Sequence, residues 1–301
     1  MENLEQNFIS VVLVVENCKD IIEKRLKSLN DVLSSYFLNY EIIVVDNKST
    51  DGTYDLLKDG DLKINIISLP QAHGSQQALN AGVSLAIGDY IIEIEDIVID
   101  INYEEIIQLY KKSQEGYDFV FLTPKKISQS SSIFYKLINK SFKHQLTTDI
   151  TSSIMTLSSR RGQNKTAEIG SRIINRNVSY AICGLKTSNI QKDIFYKNSR
   201  SLHSNYQLML DTLIYHTNVI TDISQFVSII FGLFSVFILA YAFILKIFGN
   251  VVEGWASIVV VISIGFSAIF FMFAIISRYL HHILNNTLQA KDYVYRSVDK
   301  K

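Results

Sequence analysis

Two hydrophobic patterns divide this 301-residue chain. Up to about residue 125, short apolar runs alternate with longer stretches whose apolar residues recur at helical spacing. "FISVVLVV" (Phe8 to Val15) and "YEIIVVD" (Tyr40 to Asp46) read as strands buried on both faces, with the amphipathic helix "DIIEKRLKSLNDVLSSY" between them. "LKINIISL", "DYIIEIE" and "YDFVFLT" read as three further strands. The stretches "YDLLKDG" and "GSQQALNAGVSLA" supply helices, and Ser49 or Thr50 of "STDGT" is placed to cap the first of these. Strands alternating with helices predict an α/β domain whose mostly parallel sheet is covered on both faces. Ligands of such sheets bind beyond the C-terminal strand ends, which gathers Glu16, Asp46 and Glu95 around one crevice.

The second pattern begins near Ile223. Residues 223–245, "ISQFVSIIFGLFSVFILAYAFIL", carry no charge and reach the roughly 20 residues needed to cross a bilayer. Residues 254–277, "GWASIVVVISIGFSAIFFMFAIIS", do so again after the short turn "KIFGNVVE". A buried helical hairpin of a soluble protein seldom stays apolar all round for this length, so two membrane spans are expected. Tyr241 and Trp255 flank the turn, where interfacial aromatic residues belong. Lys197, Arg200, Arg278, Lys291, Arg296, Lys300 and Lys301 gather on the side of the outer ends, against Lys246 in the turn. The positive-inside tendency then puts both termini and the N-terminal domain in the cytoplasm, on a cell's inner (plasma) membrane. Ahead of the first span, "NYQLMLDTLIYHTNVI" (Asn205 to Ile220) mixes apolar and polar positions, and both a membrane-surface helix and a solvated linker helix fit it. The expected divisions are a globular domain over 1–202, a juxtamembrane segment over 203–222, a two-helix hairpin over 223–280 and a cytoplasmic tail over 281–301.

Composition changes this picture little. Lys and Arg total 29 and Asp and Glu total 29, so no global field argues for nucleic acid. Two cysteines, Cys18 and Cys183, make no disulfide framework and fit a reducing compartment. The acidic start "MENLEQNF" lacks the basic end and long apolar core of a signal peptide.

The segments "SVVLVVEN", "YEIIVVDNKSTDGT", "ALNAGVSLAIGDYI", "FYKLINK" and "GWAS" together resemble the membrane-anchored family 2 glycosyltransferases. The likeness is narrower to the polyprenyl-phosphate glycosyltransferases, including the dolichol-phosphate mannose synthase type. It implies a GT-A fold and transfer of one sugar from a UDP- or GDP-sugar to a lipid phosphate, polyprenyl phosphate, at the membrane surface. It also implies Mg²⁺ or Mn²⁺ as cofactor. Such chemistry needs donors for the charge growing on the departing diphosphate. The lipid phosphate, already anionic, needs positioning more than deprotonation.

Against the family's motifs the acidic stretch "EIEDIVID", Glu93 to Asp100, is altered. The resemblance implies Asp-Ala-Asp-Leu-Gln-Asp-Pro after "GDY". Counted from Gly88, Glu95 takes the first Asp, Asp96 the Ala, Ile97 the second Asp and Ile99 the Gln. Isoleucine cannot ligate a cation, so Glu95 is left as a weak metal candidate, with Asp96 and Asp100 near it on the strand end. For nucleotide binding the candidates are Glu16, Asp46 and Asp96, Asp46 standing where the family contacts the base. Asn47 and Lys48 replace Asp and Gly of the family, and Gln71, Ala72 and His73 precede Gly74 where it has Arg-Asn-x. For phosphate binding the candidates are Arg160 and Arg161 of "SIMTLSSRR" and Arg200 of "SRSLHSNY"; Ile154, Thr156 and Asn205 replace the family's Asp, Arg and Lys, and Tyr206 is kept. Two functions fit: a membrane glycosyltransferase of bacterial surface-polysaccharide or lipid-linked sugar assembly, or a catalytically silent relative that binds a nucleotide, a lipid phosphate or a partner subunit. Association with a second copy of the chain stays open.

Overall fold

In chain order the globular elements are β1 (Ile9–Val15), α1 (Lys19–Tyr36), β2 (Tyr40–Asp46), α2 (Thr53–Asp59), β3 (Asn65–Ser68), α3 (Ser75–Val83), β4 (Tyr90–Ile94), α4 (Glu105–Gln114), β5 (Phe119–Pro124), α5 (Gln129–Ser141), β6 (Met155–Ser159), α6 (Arg160–Ile169), α7 (Arg176–Ile182) and β7 (Thr187–Lys192). Helices α8 (Leu202–His216), α9 (Val219–Phe248) and α10 (Trp255–Thr287) follow, and strand β8 (Ser297–Lys300) comes last. The computed structural model describes residues 4–99, 101–144, 146, 148–169, 173–194, 202–217, 219–248, 255–287 and 297–300.

The strands form one sheet in the order β7-β5-β6-β4-β1-β2-β3-β8. Strands β4, β1, β2 and β3 run parallel, so their C-terminal ends share one edge. The register sets Val15 level with Asp46, and Asp46 level with Ser68. Strand β6 runs antiparallel between β4 and β5, and β8 runs antiparallel along β3. The expected α/β sheet is thus present, and β6, β7 and β8 extend it beyond the five strands read from periodicity.

Both faces of the central strands are buried, as their unbroken apolar runs require. Val11, Leu13 and Val15 of β1 pack with Ile22, Leu26, Leu29 and Leu33 of α1 and with Ile106 and Leu109 of α4. Val12 and Val14 point the other way, among Ala78, Leu79 and Ala81 of α3. That second helix lies unusually close to the sheet. A Cβ on Gly82 would sit 2.4 Å from Val12 Cγ1 and 2.8 Å from Val45 Cγ2, so only glycine fits there.

Residue contacts divide the chain into two units, one of Met1–Met209 with Gln289–Lys301 and one of Leu210–Leu288. In the second, α9 and α10 hold apolar stretches long enough to cross a membrane, Asp222–Leu245 and Ile258–Ser277. Only 12% and 6% of these stretches are buried, whereas the core helix of a soluble protein would be mostly buried. Their phenylalanines and isoleucines face outward, while Ser228, Ser235 and Ser263 are buried. Ser267 Oγ donates to the carbonyl of Gly232 at 3.4 Å, and Phe231 stacks on Phe270. Small residues of this kind let two apolar helices approach closely. The expected tail over 281–301 is only partly a tail: residues to Thr287 continue α10, and 297–300 pair with β3.

Candidate active site

Three loops meet beyond the C-terminal ends of the parallel strands. Asn47, 3% exposed after β2, organises them: its Nδ2 donates to Glu16 Oε2 at 3.0 Å and to the His73 carbonyl at 2.9 Å. The His73 amide donates back to Asn47 Oδ1 at 2.8 Å. One amide thus ties the end of β1 to the loop before α3. Asn17 and Ser49 stitch the next layer, the Asn17 amide donating to Ser49 Oγ and the Thr50 amide to Asn17 Oδ1. Asp51 accepts from the Thr53 hydroxyl at 2.6 Å and from the amides of Thr53 and Lys19. These bonds hold its carboxyl below the usual range, outweighing the opposing effect of burial.

The loop after β2 keeps a glycine-like backbone where the glycine of the family pattern is gone. Lys48 has φ 63° and Asn17 φ 49°, both left-handed, and Gly52 has φ 88° in the turn that starts α2. Asparagine tolerates that region and lysine is strained there, so the surrounding bonds impose the conformation. Asp46 lies beneath this loop, 2% exposed, with Oδ1 accepting the Ser49 amide at 3.2 Å.

Strand β4 carries Glu93, which the sequence reading did not single out, and Glu95 follows directly after the strand's end. Glu93 is 3% exposed and Arg176, at the start of α7, is 2% exposed. The Arg176 guanidinium grips both Glu93 carboxylate oxygens and also donates to Asn80 Oδ1 at 3.1 Å. The Tyr180 hydroxyl and Gln163 Nε2 donate to the same Glu93 oxygen, and Gln163 reaches Tyr180 as well. Burial drives the Tyr180 phenol far above its ordinary value, Arg176 opposing and Glu93 reinforcing the shift. A single charged residue inside "YIIEI" was the available signal, because a buried carboxylate requires a partner.

The network reaches Glu95 through one side chain. Gln76 Oε1 accepts the Arg176 amide at 2.9 Å, and its Nε2 donates to Glu95 Oε1 at 2.6 Å. Ser75 Oγ donates to the same oxygen at 2.8 Å. A small pocket beside Glu95 is lined by Gln76, Ser153, Thr156, Arg176 and Asn177.

Of the residues picked from sequence, the structure brings Glu16, Asp46, Glu95 and Asp96 to this edge. Asp96 Oδ1 accepts the Val98 amide at 2.9 Å. Arg160 and Arg161 are not brought there. They follow β6, which runs antiparallel and ends level with Tyr90, about 16 Å away along a five-residue strand. Arg160 caps the carbonyls of Ala86 and Gly88, and Arg161 pairs with Asp118, so both guanidinium groups serve the far edge of the sheet. Ile154 is 2% exposed in the core, and Tyr206 on α8 is 55% exposed. Arg200 and Asp100 lie outside the described residues.

Ile97 is 2% exposed and packs in the core with Ile101 and Tyr103, so the second ligand position points inward. Glu95 is the one carboxylate at a matching position, and among the described residues no group of three His, Cys, Asp or Glu side chains is placed to hold a metal.

Residues 10–180 match the model of "Glycosyl transferase family 2". The chain belongs to this family. Among its relatives, this family 2 glycosyltransferase is 24% identical to the uncharacterized glycosyltransferase YkcC of Bacillus subtilis, over 94% of the chain and 90% of that protein. It is 31% identical to an undecaprenyl-phosphate 4-deoxy-4-formamido-L-arabinose transferase of Aeromonas hydrophila, over 47% of the chain and 45% of that protein. It is 32% identical to the glycosyltransferase sll0501 of Synechocystis, over 44% of each. The chain thus spans less than half of two of these relatives and nine-tenths of the third. Solved structures share the fold. A mannosyltransferase of Pyrobaculum calidifontis, in complex with GDP-Man and Mn²⁺, superposes with TM-score 0.51 at 16% identity, over 70% of this chain and 63% of the other. Glucosyl-3-phosphoglycerate synthase of Mycobacterium tuberculosis, in complex with Mn²⁺, UDP and phosphoglyceric acid, gives 0.52 at 20%, over 69% and 76%. The expected GT-A fold is therefore present.

Proposed function

We propose that this family 2 glycosyltransferase moves one sugar from a UDP- or GDP-sugar to a polyprenyl phosphate, in bacterial surface-polysaccharide or lipid-linked sugar assembly. The observation that carries this reading is the meeting of three loops at the strand ends of a GT-A sheet in a chain that also holds two membrane-length apolar helices. The printed names of the undecaprenyl-phosphate transferases among its relatives support the acceptor class. Asp46 and Glu16 are assigned to the nucleoside, with Asp96 at the outer rim. An oxygen of the lipid phosphate attacks the anomeric carbon. The bond to the diphosphate breaks and its electron pair leaves with the nucleotide. An anionic nucleophile needs alignment rather than a general base. The charge of the leaving diphosphate is assigned to cationic side chains, Arg200 first among them, with Mg²⁺ or Mn²⁺ held weakly at Glu95 beside them.

We place the globular domain and both termini on the cytoplasmic face of the inner membrane. Strand β8 supports this: residues 297–300 pair with β3 in the first unit, so the chain returns to the side it left, as two spans require. Labelling of Asn250→Cys from outside the cell tests the placement, and labelling from the cytoplasmic side alone overturns it. Turnover is tested by incubating the detergent-purified full chain with UDP- and GDP-sugars, polyprenyl phosphate and Mn²⁺. Formation of a sugar-lipid is expected; nucleotide binding without any product across the panel would instead mark a silent, scaffold-type relative.

A further inference from the structure

Helix α5 presents apolar side chains on both its inner and its outer face. It is capped by Ser128, whose side chain accepts the Ser131 amide, and its inner face buries Phe134 and Ile138. The outer face carries Ile133, 62% exposed, and Leu137, 39% exposed, one turn apart. Lys136 and Lys140 are exposed beside them, with Lys143 just beyond the helix and Lys125 and Lys126 before it. From Pro124 to Thr148 the sequence holds these five lysines and no aspartate or glutamate. Lys125 pairs with Asp193 at 3.9 Å, and the other four lysines make a local excess of positive charge around an exposed apolar pair in a chain that is neutral overall.

We infer that the outer face of α5 rests on the membrane surface, with Ile133 and Leu137 entering the headgroup boundary and the lysines meeting anionic lipid phosphates. An exposed apolar strip flanked by lysines, without acids, is the pattern of a helix lying in a bilayer interface. Charge decides the occupant: a protein partner would have to present an acidic surface, whereas the membrane that the two apolar helices imply supplies anionic headgroups. The helix leads from the C-terminal end of β5, and it is tied to the candidate site. Asn139 exchanges two hydrogen bonds with the backbone of Ile150, at 2.8 and 3.0 Å. The Tyr135 phenol, pushed up to about 12 by burial, bonds Ser152 and Asn177, and Asn177 lines the pocket beside Glu95. A surface contact at α5 would therefore hold the crevice at the depth where a lipid phosphate lies. The inference rests on the membrane placement proposed above and deepens it, because it names the part of the globular unit that meets the lipid.

The test uses the full chain in nanodiscs containing phosphatidylglycerol, with an environment-sensitive fluorophore on Ile133→Cys or, as control, on Ile87→Cys. Ile87 is 69% exposed and lies just before β4, at the opposite edge of the sheet. Headgroup-nitroxide lipids are expected to quench the probe at 133 and leave the probe at 87 unaffected. Combining Lys136→Glu with Lys140→Glu, or using phosphatidylcholine alone, is expected to abolish most of that quenching. In protein that has entered the discs, a probe at 133 as open to an aqueous quencher as the one at 87 overturns the docking and leaves the anchor intact. Protection at 133 without lipid quenching also overturns it, and points to a protein partner or second copy. Failure of the chain to enter nanodiscs overturns the membrane placement itself, and the docking with it.

Discussion

Replacing Arg176 with methionine isolates the buried pair at the centre of the globular domain. The substitution nearly conserves length and apolar contact, but it removes the only cation within bonding reach of Glu93 among the described residues. Glu93 is 3% exposed, so water cannot take over. Breaking a buried ion pair by deleting one partner costs about 3–5 kcal/mol, against a typical domain stability of about 5–15 kcal/mol. Removing both charges, Arg176→Met with Glu93→Leu, leaves no buried charge. Tyr180, Gln163 and Asn80 each lose a partner, at about 1 kcal/mol apiece, partly offset by the apolar replacement. The double variant is thus expected to be no worse than Arg176→Met alone; because Glu93→Leu alone strands the buried Arg176 at a similar cost, the coupling energy is about 3 kcal/mol or more. Urea titration in detergent checks this, followed by alkylation of Cys183, a buried thiol whose Sγ donates to the Tyr180 carbonyl one turn from the pair. Costs that simply add, or a single-variant cost below about 1 kcal/mol, would refute the electrostatic reasoning and leave the pair as ordinary packing.

Four further expectations concern single positions. Gly82→Ala forces a methyl into Val12 and Val45, and is expected to lower stability by about 1–3 kcal/mol in the same titration; an unchanged midpoint would show that α3 lifts off freely. Asp46→Ala is expected to weaken UDP or GDP binding in calorimetry while costing only about 1 kcal/mol of stability for the lost Ser49 bond; unchanged affinity in folded protein removes Asp46 from the nucleotide site. Ile97→Asp buries a carboxylate in the core and is expected to cost about 3 kcal/mol or more without strengthening Mn²⁺ binding in the presence of UDP; a stable variant that gains Mn²⁺ affinity would show that this position still faces the site. Cys18 is pushed up to about 11 by burial, helped by Asp51, so the folded state holds the thiol proton more tightly than the unfolded chain. Its stabilising contribution is complete below the ordinary thiol value, near 8.5, and fades as pH climbs through about 11; a Cys18→Ala variant with the same alkaline decline would refute this.

Periodicity and length were enough to read the α/β domain, its central parallel strands and the two apolar helices. These features depend on local spacing: β1 and β2 are apolar throughout because both their faces are covered, and the helices after residue 219 are apolar for membrane length. The placement of Glu16, Asp46, Glu95 and Asp96 at one edge of the sheet was legible for a related reason, since each stands where a parallel strand gives way to a loop. Tertiary structure alone decided the rest. The segment "SVDK" has no apolar period, yet it pairs with β3, because an edge strand gains its hydrogen bonds from a partner more than 200 residues away. The direction of β6 moved Arg160 and Arg161 to the far edge, and no local pattern encodes whether a strand runs up or down between two neighbours. Glu93 and Arg176 lie 83 residues apart, and only folding shows that the acid inside an apolar strand and the arginine opening α7 neutralise each other. Ile97 completes the contrast. Sequence shows that it cannot bind a cation, but its inward packing shows that the chain has made core of that position, because burial of an isoleucine is favourable and burial of an unpaired carboxylate is not.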